Sequence, residues 1–296
     1  MSVLSVEDLC KRYPAFQLAD VSFSLEAGRI AGFIGRNGAG KTTTLKSLLN
    51  LVHPDSGRIE FFGERFAERE RDIKSRIGFV SGGVNYYPQK KLKVITAVTS
   101  RFYAGWDEAA YRRYLEAFAL DEEKTPAALS EGMKVKYALA LALSHGAELL
   151  LLDEPTSGLD PVSREDLLDV FRGLSGEGKT ILFSTHITSD LDKCADDIIY
   201  IKGGRILAEA SLKDYLASYK VAAFEPGPVP DRAASLLIGC KSTKGGFAGV
   251  VKASDAEQAR AAGAKVTDAD LDSVMVHMDI GKDQNLHKAV GRLISG

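Results

Sequence analysis

Cysteine is scarce in this sequence: Cys10, Cys194 and Cys240 are the only three among 296 residues. Their odd number and wide spacing fit neither a disulfide framework nor a metal-binding pattern, and point to free thiols in a reducing compartment. Long apolar runs are missing too. No stretch of about 18 apolar residues occurs, so no membrane-spanning helix is expected and any membrane role has to come through a partner. The opening Met1-Ser2-Val3-Leu4-Ser5-Val6-Glu7-Asp8 puts acids where a secretory signal would carry its apolar core. Nor is charge of one sign in excess. Lys and Arg number 38 against 40 Asp and Glu, a net charge of -2 that argues against a surface built to coat nucleic acid. Hydrophobic residues at 45% and charged residues at 26% are ordinary for a globular chain with room for one large domain or two of common size.

Against this plain background one stretch stands out: Gly35-Arg36-Asn37-Gly38-Ala39-Gly40-Lys41-Thr42-Thr43. It satisfies G-x-x-x-x-G-K-[ST], and its surroundings suit the pattern. Gly28 to Ile34 reads as a turn and a short buried strand, and Leu45, Leu48 and Leu49 after it are spaced for a helix with one buried face. A strand, a glycine loop and a helix N-terminus direct consecutive backbone N–H groups, with the partial positive charge of the helix, at a chain of phosphates. Lys41 then reaches the β- and γ-phosphates and the Thr42 hydroxyl ligates Mg²⁺. The stretch implies nucleoside-triphosphate binding.

The rest of the chain alternates strands and helices. Val21, Phe23 and Leu25 share one strand face, and Ile59-Glu60-Phe61-Phe62 resembles a further edge piece, together an antiparallel patch. Helical patterns cover 107–120, 133–144 and 163–174. The all-apolar Leu149-Leu150-Leu151-Leu152 suits a central parallel strand and Thr180-Ile181-Leu182-Phe183-Ser184 a second one. The expected fold is α/β, a P-loop core around a parallel sheet with an antiparallel β subdomain and a helical subdomain. After Tyr219 the composition changes, and Glu225-Pro226-Gly227-Pro228-Val229-Pro230 reads as a boundary. Residues 1–218 are therefore expected to form the nucleotide-binding domain and 219–296 a small α+β accessory domain. In the latter, 236–240 and 247–251 flank a hairpin turn, Ser254-Asp255-Ala256-Glu257 has the form of a capping box, and His277 and His287 read as structural.

Chemistry beyond the loop concentrates in the middle of the chain. Leu151-Leu152-Asp153-Glu154 ends a buried strand in two acids: the first suits Mg²⁺ coordination, mostly through water, and the second suits deprotonating an attacking water. Pro155-Thr156-Ser157-Gly158-Leu159-Asp160 comes next. Together with Leu129-Ser130-Glu131-Gly132-Met133 and His186 at a strand end, the set resembles the ATP-binding cassette family over residues 1 to about 215, with the motifs in the family's order.

The resemblance implies roles for individual residues. Tyr13 would stack on adenine, although its neighbouring Pro turn also suits a core tyrosine. Ser130 and Gly132, at the start of a helix, would contact the γ-phosphate held by another subunit, with Asp160 crossing the same interface; Glu131 and Met133 replace a Gly and a Gln of the family's L-S-G-G-Q. Glu154 would be the general base, His186 the switch histidine, and Asp153 with Thr42 the Mg²⁺ site. The family also has a Gln ligating Mg²⁺ where this chain offers Gly82, so water is expected to complete the metal shell. Phe102-Tyr103-Ala104-Gly105-Trp106-Asp107 and a short helical subdomain are similar to bacterial exporters of the ABC-2 type. The expected protein is thus a Mg²⁺-dependent ATPase, a homodimer of cassettes driving a separate membrane permease, cytoplasmic and peripheral at the inner face of the cell membrane, with no nucleic-acid partner. A soluble cassette of DNA maintenance would need a long coiled coil between Lys41 and Asp153, a ribosome-associated one usually two cassettes, and a small-molecule kinase would lack the Ser130–Gly132 and Pro155–Asp160 segments.

Overall fold

The computed structural model describes residues 2–81, 87–225 and 231–280. The chain divides into two compact units, the first ending at Ala210 and the second beginning at Ser211.

The first unit opens with two long strands, β1 (Ser2–Tyr13) and β2 (Phe16–Glu26), paired antiparallel. Strand alternation puts Val21, Phe23 and Leu25 on one buried face, as the sequence pattern predicts. The glycine loop links β3 (Ile30–Ile34) to α1 (Lys41–Leu48); β4 (Ser56–Phe61), β5 (Glu64–Arg65) and α2 (Phe66–Ser75) come after it. The antiparallel sheet has the order β2-β1-β4-β5.

Strand β6 (Ile77–Ser81) leads to the helical subdomain, α3 (Leu92–Thr99), α4 (Glu108–Ala117) and α5 (Glu131–Ser144). Its core gathers Leu92, Ile95, Tyr111, Leu115, Tyr137 and Leu141. Within it the Thr96 hydroxyl lies 2.8 Å from both the Tyr111 and Tyr137 hydroxyls, and Tyr137 also donates to the Leu92 carbonyl at 3.0 Å, so the buried polar groups answer one another.

The chain then returns through β7 (Leu149–Asp153), α6 (Pro161–Gly176), β8 (Thr180–Thr185), α7 (Thr188–Cys194), β9 (Asp197–Lys202) and β10 (Arg205–Ser211). The second sheet runs β10-β9-β3-β8-β7-β6. Every residue of β3, β7 and β8 is buried, which explains the apolar runs Leu149–Leu152 and Ile181–Phe183, because a parallel strand covered on both faces has no solvent side to show. Register aligns the strand ends. Ile34 pairs with Thr185, and Ser184 with Asp153, so the carboxyl ends of β3, β8 and β7 stand side by side and their next residues meet at one sheet end.

The second unit contains, in chain order, α8 (Leu212–Ala217), β11 (Tyr219–Phe224), α9 (Asp231–Ala234), β12 (Ile238–Thr243), β13 (Gly246–Lys252), α10 (Ala256–Ala261), β14 (Lys265–Asp268) and α11 (Leu271–Ile280). Its sheet order is β12-β13-β11-β14, all neighbours antiparallel, the split β-α-β arrangement. The expected boundary between 218 and 219 shifts to Ala210/Ser211, because Ser211 caps α8 by accepting from the Asp214 N–H at 3.0 Å and α8 packs on β11. The Pro-containing stretch expected to separate the domains lies inside the second unit, since β11 precedes it and pairs with both β13 and β14. Residues 226–230 themselves lie outside the described residues, as do the positions read at Gly82 and His287. The capping box does not form: the Ser254 hydroxyl turns to Asp255 Oδ1 at 3.1 Å, and α10 starts without a side-chain cap.

Candidate functional site

The glycine loop is shaped by contacts that admit no side chain at two of its positions. A Cβ on Gly35 would stand 2.4 Å from the Ile201 carbonyl oxygen. Gly40, at φ +117, would put a Cβ 2.6 Å from Leu18 Cδ2, and its conformation is one that L-residues rarely adopt. Gly40 is also the N-cap of α1, whose first turn carries no acidic residue, so the positive helix end stays uncompensated within its own helix. Its carbonyl accepts from both the Thr44 N–H at 2.8 Å and the Thr44 hydroxyl at 3.0 Å, fixing the first turn.

Lys41 is 5% exposed. Its ammonium donates to the Gly35 carbonyl at 2.6 Å and stands 3.1 Å from Glu154 Oε1, so the loop curls around its own cation. The Thr42 hydroxyl donates to Asp153 Oδ1 at 3.1 Å. Asp153, itself buried, accepts a second bond on the same oxygen from the Ser184 hydroxyl at 2.7 Å. Glu154 takes the left-handed φ of +51, and its N–H is held by the Ser184 carbonyl at 3.1 Å and hydroxyl at 3.0 Å. A non-glycine residue in that conformation is strained, and the strand beside it supplies the constraint. The turn directs the Glu154 carboxylate into the cleft, where Oε2 lies 2.8 Å from His186 Nδ1. Lys41, Glu154 and His186 thus form one line of contact across the ends of three strands.

The cleft above them has a volume of about 540 Å³ and is lined by Ala15, Phe16, Arg36, Asn37, Gly38, Gly40, Lys41, Thr42, Thr43, Glu154, Ser157 and His186. Of the expected nucleotide-binding positions, Gly35 and Ala39 support the loop from behind. Tyr13 does not line the cleft; it is 40% exposed, with Lys11 Nζ 5.8 Å from its ring centroid. Phe16, its partner across the β1–β2 turn, is the aromatic residue of the wall. The roles of Phe16, Ser157 and Ser184 escape a reading of the sequence alone, although Ser157 lies in the Pro155–Asp160 segment and Ser184 ends the apolar run Ile181–Phe183.

Ser130, Gly132 and Asp160 gather elsewhere, and none lines the cleft. Ser130 caps α5 by accepting from the Met133 N–H at 3.2 Å. Gly132 is buried one turn away, where a Cβ would meet Ser163 Cβ at 3.5 Å and Leu159 Cδ2 at 3.8 Å. Asp160 caps α6, accepting from the Val162 N–H at 3.0 Å and the Ser163 N–H at 3.1 Å. The Ser163 hydroxyl and backbone hold its carboxyl below the usual aspartate range. Two helix N-termini, each capped by its own side chain, therefore lie side by side, apart from the loop.

Among the described residues no group of three or more His, Cys, Asp or Glu is placed to hold a metal. The hard oxygens of Thr42 and Asp153, adjacent to a phosphate-sized loop, fit Mg²⁺, an ion that relies on phosphates and waters rather than on an all-protein cage. No helix among the described residues is long and apolar enough to cross a membrane.

Known proteins resemble this chain in sequence and fold. A family model described as ABC transporter matches residues 18–157. Bacitracin transport ATP-binding protein BcrA of Bacillus licheniformis is 35% identical over 70% of this chain and 69% of its own length. Nod factor export ATP-binding protein I of Burkholderia lata is 39% identical over 64% of each chain. A solved structure of the ATP binding subunit of an ABC transporter is 32% identical, with a TM-score of 0.65 over 72% of this chain and 91% of that one.

Proposed function

Because the chain belongs to the ATP-binding proteins of the ABC transporter family, we propose that its cleft takes Mg-ATP and that Glu154, Lys41 and His186 carry the hydrolytic step. The family sets the activity, ATP binding and hydrolysis by the ATP-binding subunit of a transporter. The observation that carries the assignment of roles is the bridging of Glu154, one carboxylate oxygen on the Lys41 ammonium and the other on the His186 ring.

When ATP enters, the loop N–H groups of Gly38 and of Gly40 to Thr43 and the N-terminus of α1 face the phosphate chain, and Lys41 exchanges its carbonyl and carboxylate partners for phosphate oxygens. Phe16 or Tyr13 closes over the base. Released from Lys41, Glu154 accepts a proton from water as the water oxygen attacks the γ-phosphorus and the bond to the bridging oxygen breaks, the electron pair leaving on ADP. His186, on the other carboxylate oxygen, holds Glu154 and the water in line. Thr42 and Asp153 would hold Mg²⁺, which supplies charge neutralisation on the phosphates.

Ser130, Gly132 and Asp160 stand apart from the cleft of their own chain, which supports a two-fold dimer in which each copy lends them to the other's ATP. The γ-phosphate then meets the N-terminus of a partner α5. The name of the Nod factor export relative supports an exporter, and in this reading the permease is a separate chain and the subunit works at the inner face of the membrane.

The test is Glu154→Gln. Turnover is expected to fall by about two orders of magnitude or more, with Mg-ATP still bound and a dimer trapped in light scattering. Hydrolysis at the parent rate would remove Glu154 as the base.

A further inference from the structure

We propose that Asp190 and Arg164 form a positioning pair that joins the Pro155–Asp160 turn to the helix after His186, so that engagement of the Gly132 face by a second copy adjusts the placement of the His186 ring that bears on Glu154. The inference rests on the nucleotide reading of the cleft and adds a link between the two ATP sites of the dimer.

Asp190 sits in the first turn of α7 and is 1% exposed. Its Oδ1 stands 4.0 Å from Arg164 Nε, while Arg164 Nε and Asp190 Oδ2 are both buried without a hydrogen-bond partner. The fully buried Thr156 hydroxyl is turned toward the same carboxyl without closing a hydrogen bond of good geometry. Burial pushes the Asp190 carboxyl above its ordinary range, and Thr156 and Arg164 only partly offset it. The other charges that act on it, Glu165 and Lys193, are paired with each other at 2.5 Å. A buried carboxyl and guanidinium held just short of contact form an unfavourable arrangement. A displacement of about 1 Å would convert it into a charge-assisted hydrogen bond.

Both ends of the pair lead to functional groups. Arg164 donates to the Leu159 carbonyl at 3.3 Å, and its N–H to the Asp160 carbonyl at 3.0 Å. Leu159 and Ser163 are the residues packed over Gly132. Whatever presses on Gly132 and Asp160 therefore moves Arg164. On the other side the Asp190 N–H donates to the Ile187 carbonyl at 3.3 Å, and the Ile187 N–H to Thr185 Oγ1 at 3.0 Å. His186 lies between those two anchors, with Nδ1 2.8 Å from Glu154 Oε2. Closing the pair draws α7 toward α6 and carries the imidazole with it.

The test is steady-state ATP hydrolysis by the full chain with Mg-ATP as the probe. Asp190→Asn is expected to lower kcat about tenfold while KM, Mg-ATP affinity and thermal midpoint stay near the parent's, and Asp190→Glu to restore most of the rate. Arg164→Gln, at a partly exposed position, is expected to repeat the loss and serves if Asp190→Asn does not fold. Parent kcat in Asp190→Asn or Arg164→Gln overturns the pairing. So does a loss that Asp190→Glu leaves in place and that tracks a lowered thermal midpoint, which is a packing effect. Glu154→Gln assayed alongside separates the two readings: inactive with Asp190→Asn at the parent rate, only the pairing fails; active, the nucleotide reading fails and takes the pairing with it.

Discussion

The Ser184 hydroxyl donates to Asp153 Oδ1 at 2.7 Å and accepts from the Glu154 N–H at 3.0 Å, so one side chain on β8 orients both acids at the end of β7. Removing it leaves Asp153 Oδ1 with Thr42 and the Glu154 N–H with the Ser184 carbonyl. Ser184→Ala is expected to weaken Mg²⁺ dependence of hydrolysis by about ten- to a hundredfold in metal affinity, as loss of an outer partner does elsewhere. A Mg²⁺ titration of ATPase rate reads this, and an unchanged midpoint would count against Asp153 as the metal's anchor.

Gly40 gives a second expectation. A methyl group there meets Leu18 and Phe16 while the backbone stays at φ +117, so Gly40→Ala combines overpacking with strain. The loop is expected to relax by opening, at a cost of about 1–3 kcal/mol in stability and about tenfold or more in nucleotide affinity. Fluorescent-nucleotide binding and urea unfolding measured together check both. Full affinity with full stability would mean that the neighbours yield.

The third expectation concerns pH. His145 is buried, its ring stacked on Tyr103 with centroids 3.9 Å apart, and Nδ1–H donates to the Ser75 carbonyl at 3.0 Å. Burial lowers its pKa from the ordinary 6.5, with Lys179 acting in the same direction and the carbonyl bond opposing. Well above pH 6.5 the ring is neutral in both folded and unfolded chains and contributes no pH dependence. Below it the unfolded chain takes up a proton that the folded one refuses, so stability declines as pH falls. The urea midpoint is expected to drop between pH 7.5 and 5.5 in the parent and to drop less in His145→Gln, which keeps a donor for Ser75. Equal slopes would show that other groups govern the acid limb.

Much of the site was legible because its parts are contiguous. Nine residues from Gly35 to Thr43 carry the loop, and Leu149 to Glu154 carry a strand and both acids, so local pattern and chemistry coincide. Ser184 and Phe16 were not legible, since their meaning comes from register: Ser184 matters because it lies opposite Asp153, and Phe16 because a turn returns it to Gly40. The second unit was harder still. Strand β11 is Tyr-Lys-Val-Ala-Ala-Phe, short and weakly alternating, and the boundary expected at 218/219 followed the change in composition there and missed α8, which packs on β11. At Ser254 the S-x-x-E spacing was present, but the residues ahead of α10 turn in a 3₁₀ helix that leads the hydroxyl to Asp255.

One consequence lies in the cap of α5. The Ser130 oxygen is engaged as an acceptor by the Met133 N–H, which leaves its hydrogen and one lone pair on an exposed side chain. The hydroxyl can give a hydrogen bond in the same direction as the N–H groups of the helix behind it. An anion arriving at this face therefore meets a hydroxyl donor and the positive end of α5 together, without a charged side chain having to supply either.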